Sequence, residues 1–269
     1  MFRGRSCGER VAFLAAAGLV FLVLASPAAA GGLDDARGRG KLLVGVKTDF
    51  PPFGYLDPAG KPKGFDVEVA RYLARALFGD ESRLETVPVT SGSRIPFLYS
   101  DWIDMIVATM TVTEDRKRVL DFSDPYFASA SMLLVRAGSK VRGIEDLGGK
   151  TVAVIEGSVQ EKDLELVAPG AKRIAFRNMD EAVAALRAKR VDALCQDDML
   201  VLTLAKGNRD LKVSGKPILT RPYAVAVRKG DAETLRWVND KLSAMKKDGT
   251  YERLREKYFG TATGKEAKP

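Results

Sequence analysis

The chain has 269 residues, a formal net charge of +8, two cysteines and no histidine. The missing histidine excludes a Ser-His-Asp triad, a Cys-His pair and any histidine-containing zinc site, and two thiols cannot build a cysteine cluster. Its cations are interleaved with acids, as in ERLREK, which excludes the dense basic stripe that nucleic acid requires; a mild field that draws in small anions fits better.

In chain order, the first 30 residues read as a leader rather than as fold. Arg3, Arg5 and Arg10 form a basic start, Val11 to Leu24 is almost purely apolar, and Ala28-x-Ala30 fits the small-residue rule for signal cleavage. The apolar run is short for a membrane span, which needs roughly 20 residues; an uncleaved anchor is the alternative. Cys7 lies too early to carry a lipid. Cleavage after Ala30 removes three Lys/Arg and one Asp/Glu, so the mature charge is +6 and Cys195 is the one remaining thiol. No internal disulfide is then possible, and the exported fold must rest on a hydrophobic core.

Lys41 to Val46 (KLLVGV) reads as a buried strand, and TDFPPFGYLDPAGKPKG as a loop dense in Pro and Gly. Phe65, Val69, Leu73 and Leu77 recur every four residues, which predicts an amphipathic helix over 64–78. Leu84 to Val89 is a strand, Ser93 to Leu98 a short helix and Ile103 to Ala108 another strand. This is the alternation of a parallel α/β sheet. A second unit of the same kind follows: a strand at 151–155, a helix at 159–166, a strand at 174–176, a helix capped by Asn178 with Glu181 three residues on, a strand at 191–194 and a helix from Asp197. Tyr223 to Lys229 is a late strand, and two helices close the chain. SMLLVRAG (131–138) and RPYAVAVRK (221–229) are the expected connections between the units.

GIEDLGGKT looks like a phosphate loop but fails on spacing: Ile144 stands where the pattern needs glycine. ATMTVTEDRKRVLDFSDPYF (108–127) holds a real question. Thr113 suits a helix cap, and Glu114 and Asp115 suit the positive end of a helix, but Arg116 and Lys117 do not. The carboxyl end of a strand followed by a helix start is also where open α/β sheets bind ligands. Thr109, Thr111 and Arg116 could therefore form a carboxylate clamp; alternatively, Arg116 pairs with Asp121 or Asp124 on a solvated turn.

Four segments, in order, resemble the periplasmic amino-acid-binding proteins that serve ABC importers, closest to their glutamate/aspartate-binding branch: GVKTDFPPFGYLDPAGKPKGFDVEVARYLA, ATMTVTEDRKRVLDFSDPYF, GKTVAVIEGSVQEKDL and RVDALCQDD. The resemblance implies an α/β, two-lobed periplasmic-binding-protein-like fold (type II), each lobe a mixed sheet flanked by helices, the lobes joined by two hinge strands. The expected ranges are 33–127 plus 220–262 for the first lobe, 128–219 for the second, and 263–269 for a frayed tail. Arg116 is implied to hold the ligand's α-carboxylate with Thr111, the backbone near Thr109, and Ser158 from the second lobe. Asp197 is implied to hold the α-ammonium, although its neighbour Asp198 could serve instead as a helix cap. Phe50 matches an aromatic wall, or else packs in the core. Ser91, Arg94 and Lys47 match positions facing the ligand side chain, and two cations there point to glutamate or aspartate. Some members of that branch supply a histidine from the second lobe, which this chain lacks. The expected protein is a periplasmic monomer without metal, cofactor or catalysis, handing its ligand to a permease driven by a separate ATPase. The alternatives are a binder of glutamine or arginine, a cyclohexadienyl dehydratase-like enzyme with Glu156 as its acid, and a sensor ectodomain.

Overall fold

The computed structural model describes residues 32–260; the expected leader at 1–30, the tail at 263–269 and positions 261 and 262 lie outside the described residues. The described residues open with helix α1 (Gly32–Arg39) and strand β1 (Leu42–Val46). Three short strands follow, β2 (Asp49–Phe50), β3 (Gly54–Leu56) and β4 (Pro62–Lys63). They pair antiparallel as a small sheet, which corrects the reading of this stretch as a loop. Strands of two or three residues are too short to show alternation. The bond between Pro51 and Pro52 is cis.

Helix α2 (Phe65–Phe78) buries Phe65, Asp66, Val69, Ala70, Leu73 and Ala74. It ends at Gly79 in the left-handed conformation, whose N–H reaches the Arg75 carbonyl. Then come β5 (Leu84–Pro88), α3 (Arg94–Tyr99), β6 (Met105–Ile106), α4 (Glu114–Lys117) and β7 (Leu120–Phe122). The strand expected over 103–108 thus pairs through two residues only. The rest of that stretch stays buried, and Asp104 and Val107 still donate their backbone N–H groups to the Leu43 and Gly45 carbonyls of β1.

The long strand β8 (Phe127–Arg136) carries the chain into a second sheet, formed with β9 (Thr151–Ile155), β10 (Lys172–Phe176) and β11 (Ala193–Asp197). Helices α5 (Gln160–Val167), α6 (Met179–Arg187) and α7 (Asp198–Gly207) flank it. Strand β12 (Leu211–Tyr223) pairs antiparallel with β8 and brings the chain back. It feeds β13 (Ala226–Arg228), and helices α8 (Ala232–Lys247) and α9 (Thr250–Phe259) finish the described chain.

The first sheet has the order β5-β1-β6-β13-β7 and the second β10-β9-β11-β8-β12. In both, parallel strands join antiparallel ones, so both sheets are mixed. The result is the two-lobed α/β fold expected. The strand expected at 223–229 forms as β13, over Ala226–Arg228, and the sequence reading lacked the returning strand β12, which begins at Leu211 and ends at Tyr223. Pro217, Pro222 and two register shifts disguised it, and both prolines are tolerated because β12 lies at the sheet edge. The chain crosses between lobes where Phe127, Ala128 and Ser129 face Tyr223, Pro222 and Arg221. An aromatic cluster holds this crossing to the first lobe. The Phe53 ring lies 4.9 Å from Phe127, 5.6 Å from Tyr223 and 5.1 Å from Phe259.

Candidate functional site

The lobes face each other across a closed cleft. The turn after β5 (Thr90–Ser93) presses on the turn after β9 (Glu156–Ser158). Gly157 has φ +73°, and a Cβ built there would stand 2.8 Å from the Cα of Gly92 and 2.9 Å from the Ser91 carbonyl oxygen. An Arg116 Nη2 hydrogen bond to the Gly157 carbonyl (2.9 Å) and a Lys162–Asp115 ion pair also cross the gap. A cavity of about 640 Å³ opens at this edge, lined by residues that include Thr113, Arg116, Gly157, Ser158, Lys162 and Arg221.

Of the expected site residues, Arg116 and Ser158 line this cavity. Arg116 is held from two sides. Thr113 Oγ1 caps the single turn of α4 by accepting the Arg116 N–H, and Arg116 Nη1 donates to the Thr111 carbonyl at 2.8 Å. Among the described residues Arg116 forms no ion pair with Asp121 or Asp124; Asp121 pairs with Lys229. Two of its five N–H groups serve the Thr111 and Gly157 carbonyls. The helix that carries it has four residues, so the macrodipole argument for an anion here has little force.

Asp197, the last residue of β11, is buried and accepts Gln160 Nε2 at 2.7 Å. The Tyr223 hydroxyl lies beside it, buried and without a well-aligned hydrogen bond of its own. Burial pushes the Asp197 carboxyl up to about 6. Asp198 is engaged elsewhere, accepting the Ser129 hydroxyl (2.6 Å) and the Met199 N–H (2.7 Å). Ser158 Oγ is buried without a partner.

The other wall is cationic. Lys47 is 3 % exposed; its ammonium donates to Ser91 Oγ at 2.8 Å and lies 5.2 Å from the centre of the Phe50 ring. Burial, then the Arg94 guanidinium, pull Lys47 down to about 8. Arg94, 2 % exposed, donates through Nη1 to the carbonyls of Ala108 (2.6 Å) and Thr109 (3.3 Å), while its Nε has no partner. Burial, then Arg116, lower its pKa. Phe50 is buried, so it joins the core and also lies beneath the Lys47 ammonium. Lys47, Arg94, Arg116 and Asp197 lie close enough for their charges to act on one another. Asp66 and Tyr126, absent from the sequence reading, stand behind Thr109: Asp66 Oδ2 accepts the Thr109 N–H at 2.7 Å and Oδ1 accepts the Tyr126 hydroxyl at 2.9 Å. Asp66 shares a helix face with Val69, Ala70 and Leu73, so helical spacing could have marked it as buried. Among the described residues no group of three or more His, Cys, Asp or Glu side chains is placed to hold a metal. Cys195 is buried, and burial pushes its thiol well up, so it serves as core.

Known proteins agree with this architecture. The glutamine-binding protein GlnH of a Bacillus subtilis ABC transporter is 40 % identical over 81 % of this chain and 81 % of its own length. The L-cystine-binding protein TcyJ of Escherichia coli K12 is 36 % identical over 85 % and 86 %. A crystal structure of a mutant of the T. maritima protein ArgBP superposes with a TM-score of 0.80 at 38 % identity, covering 85 % of this chain and 99 % of that one. Residues 42–261 match the model of the bacterial extracellular solute-binding proteins, family 3, and the chain belongs to that family.

Proposed function

We propose that this protein captures a small L-amino acid outside the cytoplasm, as an amino-acid-binding component of ABC import, and that it selects a side chain ending in a carboxylate, glutamate or aspartate. In this reading Arg116, Thr111, the backbone at Thr109 and Ser158 take the α-carboxylate, and Asp197 takes the α-ammonium from the opposite lobe. Closure removes both ligand charges from water, which is tolerable only because each gains an opposite partner. The ligand thereby joins the lobes and presents the closed form to a permease with its own ATPase.

The observation that carries the acidic preference is the pair Lys47 and Arg94. Both are buried, and their direct hydrogen-bond partners are neutral: Ser91 Oγ for one, backbone carbonyls for the other. Both groups can only donate, so the side chain they meet must accept, and a negative one also relieves their mutual repulsion. A cationic side chain such as arginine's offers neither. Glutamine is the second reading, favoured by the glutamine-binding relative above; its carboxamide oxygen accepts but leaves the positive charge unbalanced. Glu156, the acid of the dehydratase alternative, is exposed, and the relatives described above are binding proteins.

A thermal-shift screen over the L-amino acids, followed by titration calorimetry, tests both levels, because a ligand of the folded state raises the melting temperature. Glutamate or aspartate should stabilise most and arginine not at all. A larger effect from glutamine overturns the acidic choice, and silence from every amino acid overturns the binding reading. Arg116→Ala should cost about 3–5 kcal/mol, the scale for removing one member of a buried charge pair, or roughly a hundredfold to a few thousandfold in Kd. A loss under about fivefold would remove Arg116 from the site.

A further inference from the structure

The peptide unit between Ala108 and Thr109 is gripped at both ends. Its carbonyl accepts Arg94 Nη1 at 2.6 Å, and its N–H donates to Asp66 Oδ2 at 2.7 Å. A buried guanidinium and a buried carboxylate thus meet through one peptide group, with its negative end toward the cation and its positive end toward the anion. Thr109 is held at φ +46°, a left-handed conformation that β-branched residues rarely adopt without outside support. Thr109 is part of this peptide and Thr111 lies two residues on, and the Thr111 carbonyl in turn orients Arg116. The Tyr126 hydroxyl, donating to Asp66 Oδ1 at 2.9 Å, fixes the carboxylate from behind. All of Asp66, Arg94, Thr109 and Tyr126 are buried.

We propose that Asp66 is a positioning residue for the binding site. Through the Thr109 N–H it holds the strained turn that aims Thr109, Thr111 and Arg116 into the cleft, and it keeps Arg94 seated on the opposite end of the same peptide. It touches no ligand. The effect on ligand affinity rests on the placement of the α-carboxylate proposed above; the clamp itself does not.

The test therefore has a ligand-free arm and a ligand arm. In the ligand-free arm, amide hydrogen exchange at Thr109 is followed by NMR. Asp66→Ala should speed exchange at least tenfold, whereas Asp66→Asn should keep it within about threefold, because the carboxamide oxygen still accepts the N–H and the Tyr126 hydroxyl can turn to accept. Asp66→Glu, which moves the acceptor by one methylene, should also speed exchange and serves if the alanine variant does not fold. In the ligand arm, Asp66→Ala should weaken L-glutamate and L-glutamine alike by at least tenfold, with substantial rescue by asparagine. Leu73→Ala, a core truncation two turns along the same helix, is the stability control and should lower the melting temperature with Kd within twofold. Unchanged Thr109 exchange in both Asp66→Ala and Asp66→Glu overturns the clamp. Equal affinity losses in Asp66→Ala and Leu73→Ala, or no rescue by asparagine, reduce Asp66 to a core residue and overturn the positioning role. If neither amino acid binds the wild-type protein, the proposed ligand fails, and Thr109 exchange still decides the clamp.

Discussion

Lys47 and Asp197 stand on opposite lobes with pKa values displaced toward neutrality, and a ligand would reverse both displacements. Burial raises Asp197 to about 6, so below that pH it is increasingly protonated in the empty closed cleft. An α-ammonium favours the ionised carboxylate, so binding there releases a proton, and affinity falls as pH drops through about 6. Lys47 is lowered to about 8, so above that pH it has lost its proton. A side-chain carboxylate favours the protonated ammonium, so binding takes a proton up, and affinity for an acidic ligand falls as pH rises through about 8. Calorimetry across pH should therefore give L-glutamate a plateau bounded on both sides and L-glutamine only the acid-side limb near 6. A glutamine limb near 8 equal to that of glutamate would detach Lys47 from the ligand's side chain. At this scale Arg116 was legible in the sequence as a cation misplaced at a helix start, and Asp197, Lys47 and Arg94 only through the family resemblance. Asp66 was not: its role comes from meeting Thr109 and Tyr126, 43 and 60 positions away.

Elements were legible to the extent that local repetition marks them. The helices α2, α6 and α8 each bury a stripe at helical spacing, and the caps at Thr113 and Asn178 form as their side chains suggest, each accepting a backbone N–H three residues on. The small sheet β2–β4 escaped because its strands are too short to show alternation, and the return strand β12 because its partner β8 lies far back in the chain. What locks these elements is the aromatic cluster around Phe53, to which α9 contributes Phe259 and the crossing strands contribute Phe127 and Tyr223. The backbone packs as tightly as the rings: a Cβ at Gly64, itself at φ +128°, would come within 2.1 Å of the Phe53 carbonyl oxygen. Phe53→Ala should thus lower stability by about 3–5 kcal/mol, the range for truncating a fully buried phenylalanine. Chemical denaturation checks the loss; a value under about 1 kcal/mol would mean that the crossing strands are held by their own pairing instead.

The molecule as a whole is two lobes hinged on one side and touching through two glycine turns on the other. Full closure brings Gly157 of one lobe against Gly92 of the other, and only one of the two has room for a side chain. A Cβ at Gly92 would find its nearest neighbour at 3.7 Å, ordinary contact, whereas one at Gly157 would meet backbone atoms at 2.8 to 2.9 Å. Backbone cannot swing aside as the tip of a flexible side chain can, so the lobes themselves would have to part. Gly157→Ala should therefore leave an open or half-closed protein in the presence of ligand. X-ray scattering should show the radius of gyration contracting with L-glutamate in the wild type and in Gly92→Ala, but not fully in Gly157→Ala. Affinity should fall at least tenfold, mainly through faster release, because the Gly157 carbonyl would no longer reach Arg116. Alanine at φ +73° also strains the turn, so the comparison needs a residue that accepts the left-handed region. Asparagine does so more readily while still carrying a Cβ. If Gly157→Asn restores closure, strain was the cause and the contact between the turns is incidental. If Gly157→Asn stays as open as Gly157→Ala, the space between Gly157 and Gly92 sets how far the lobes can close.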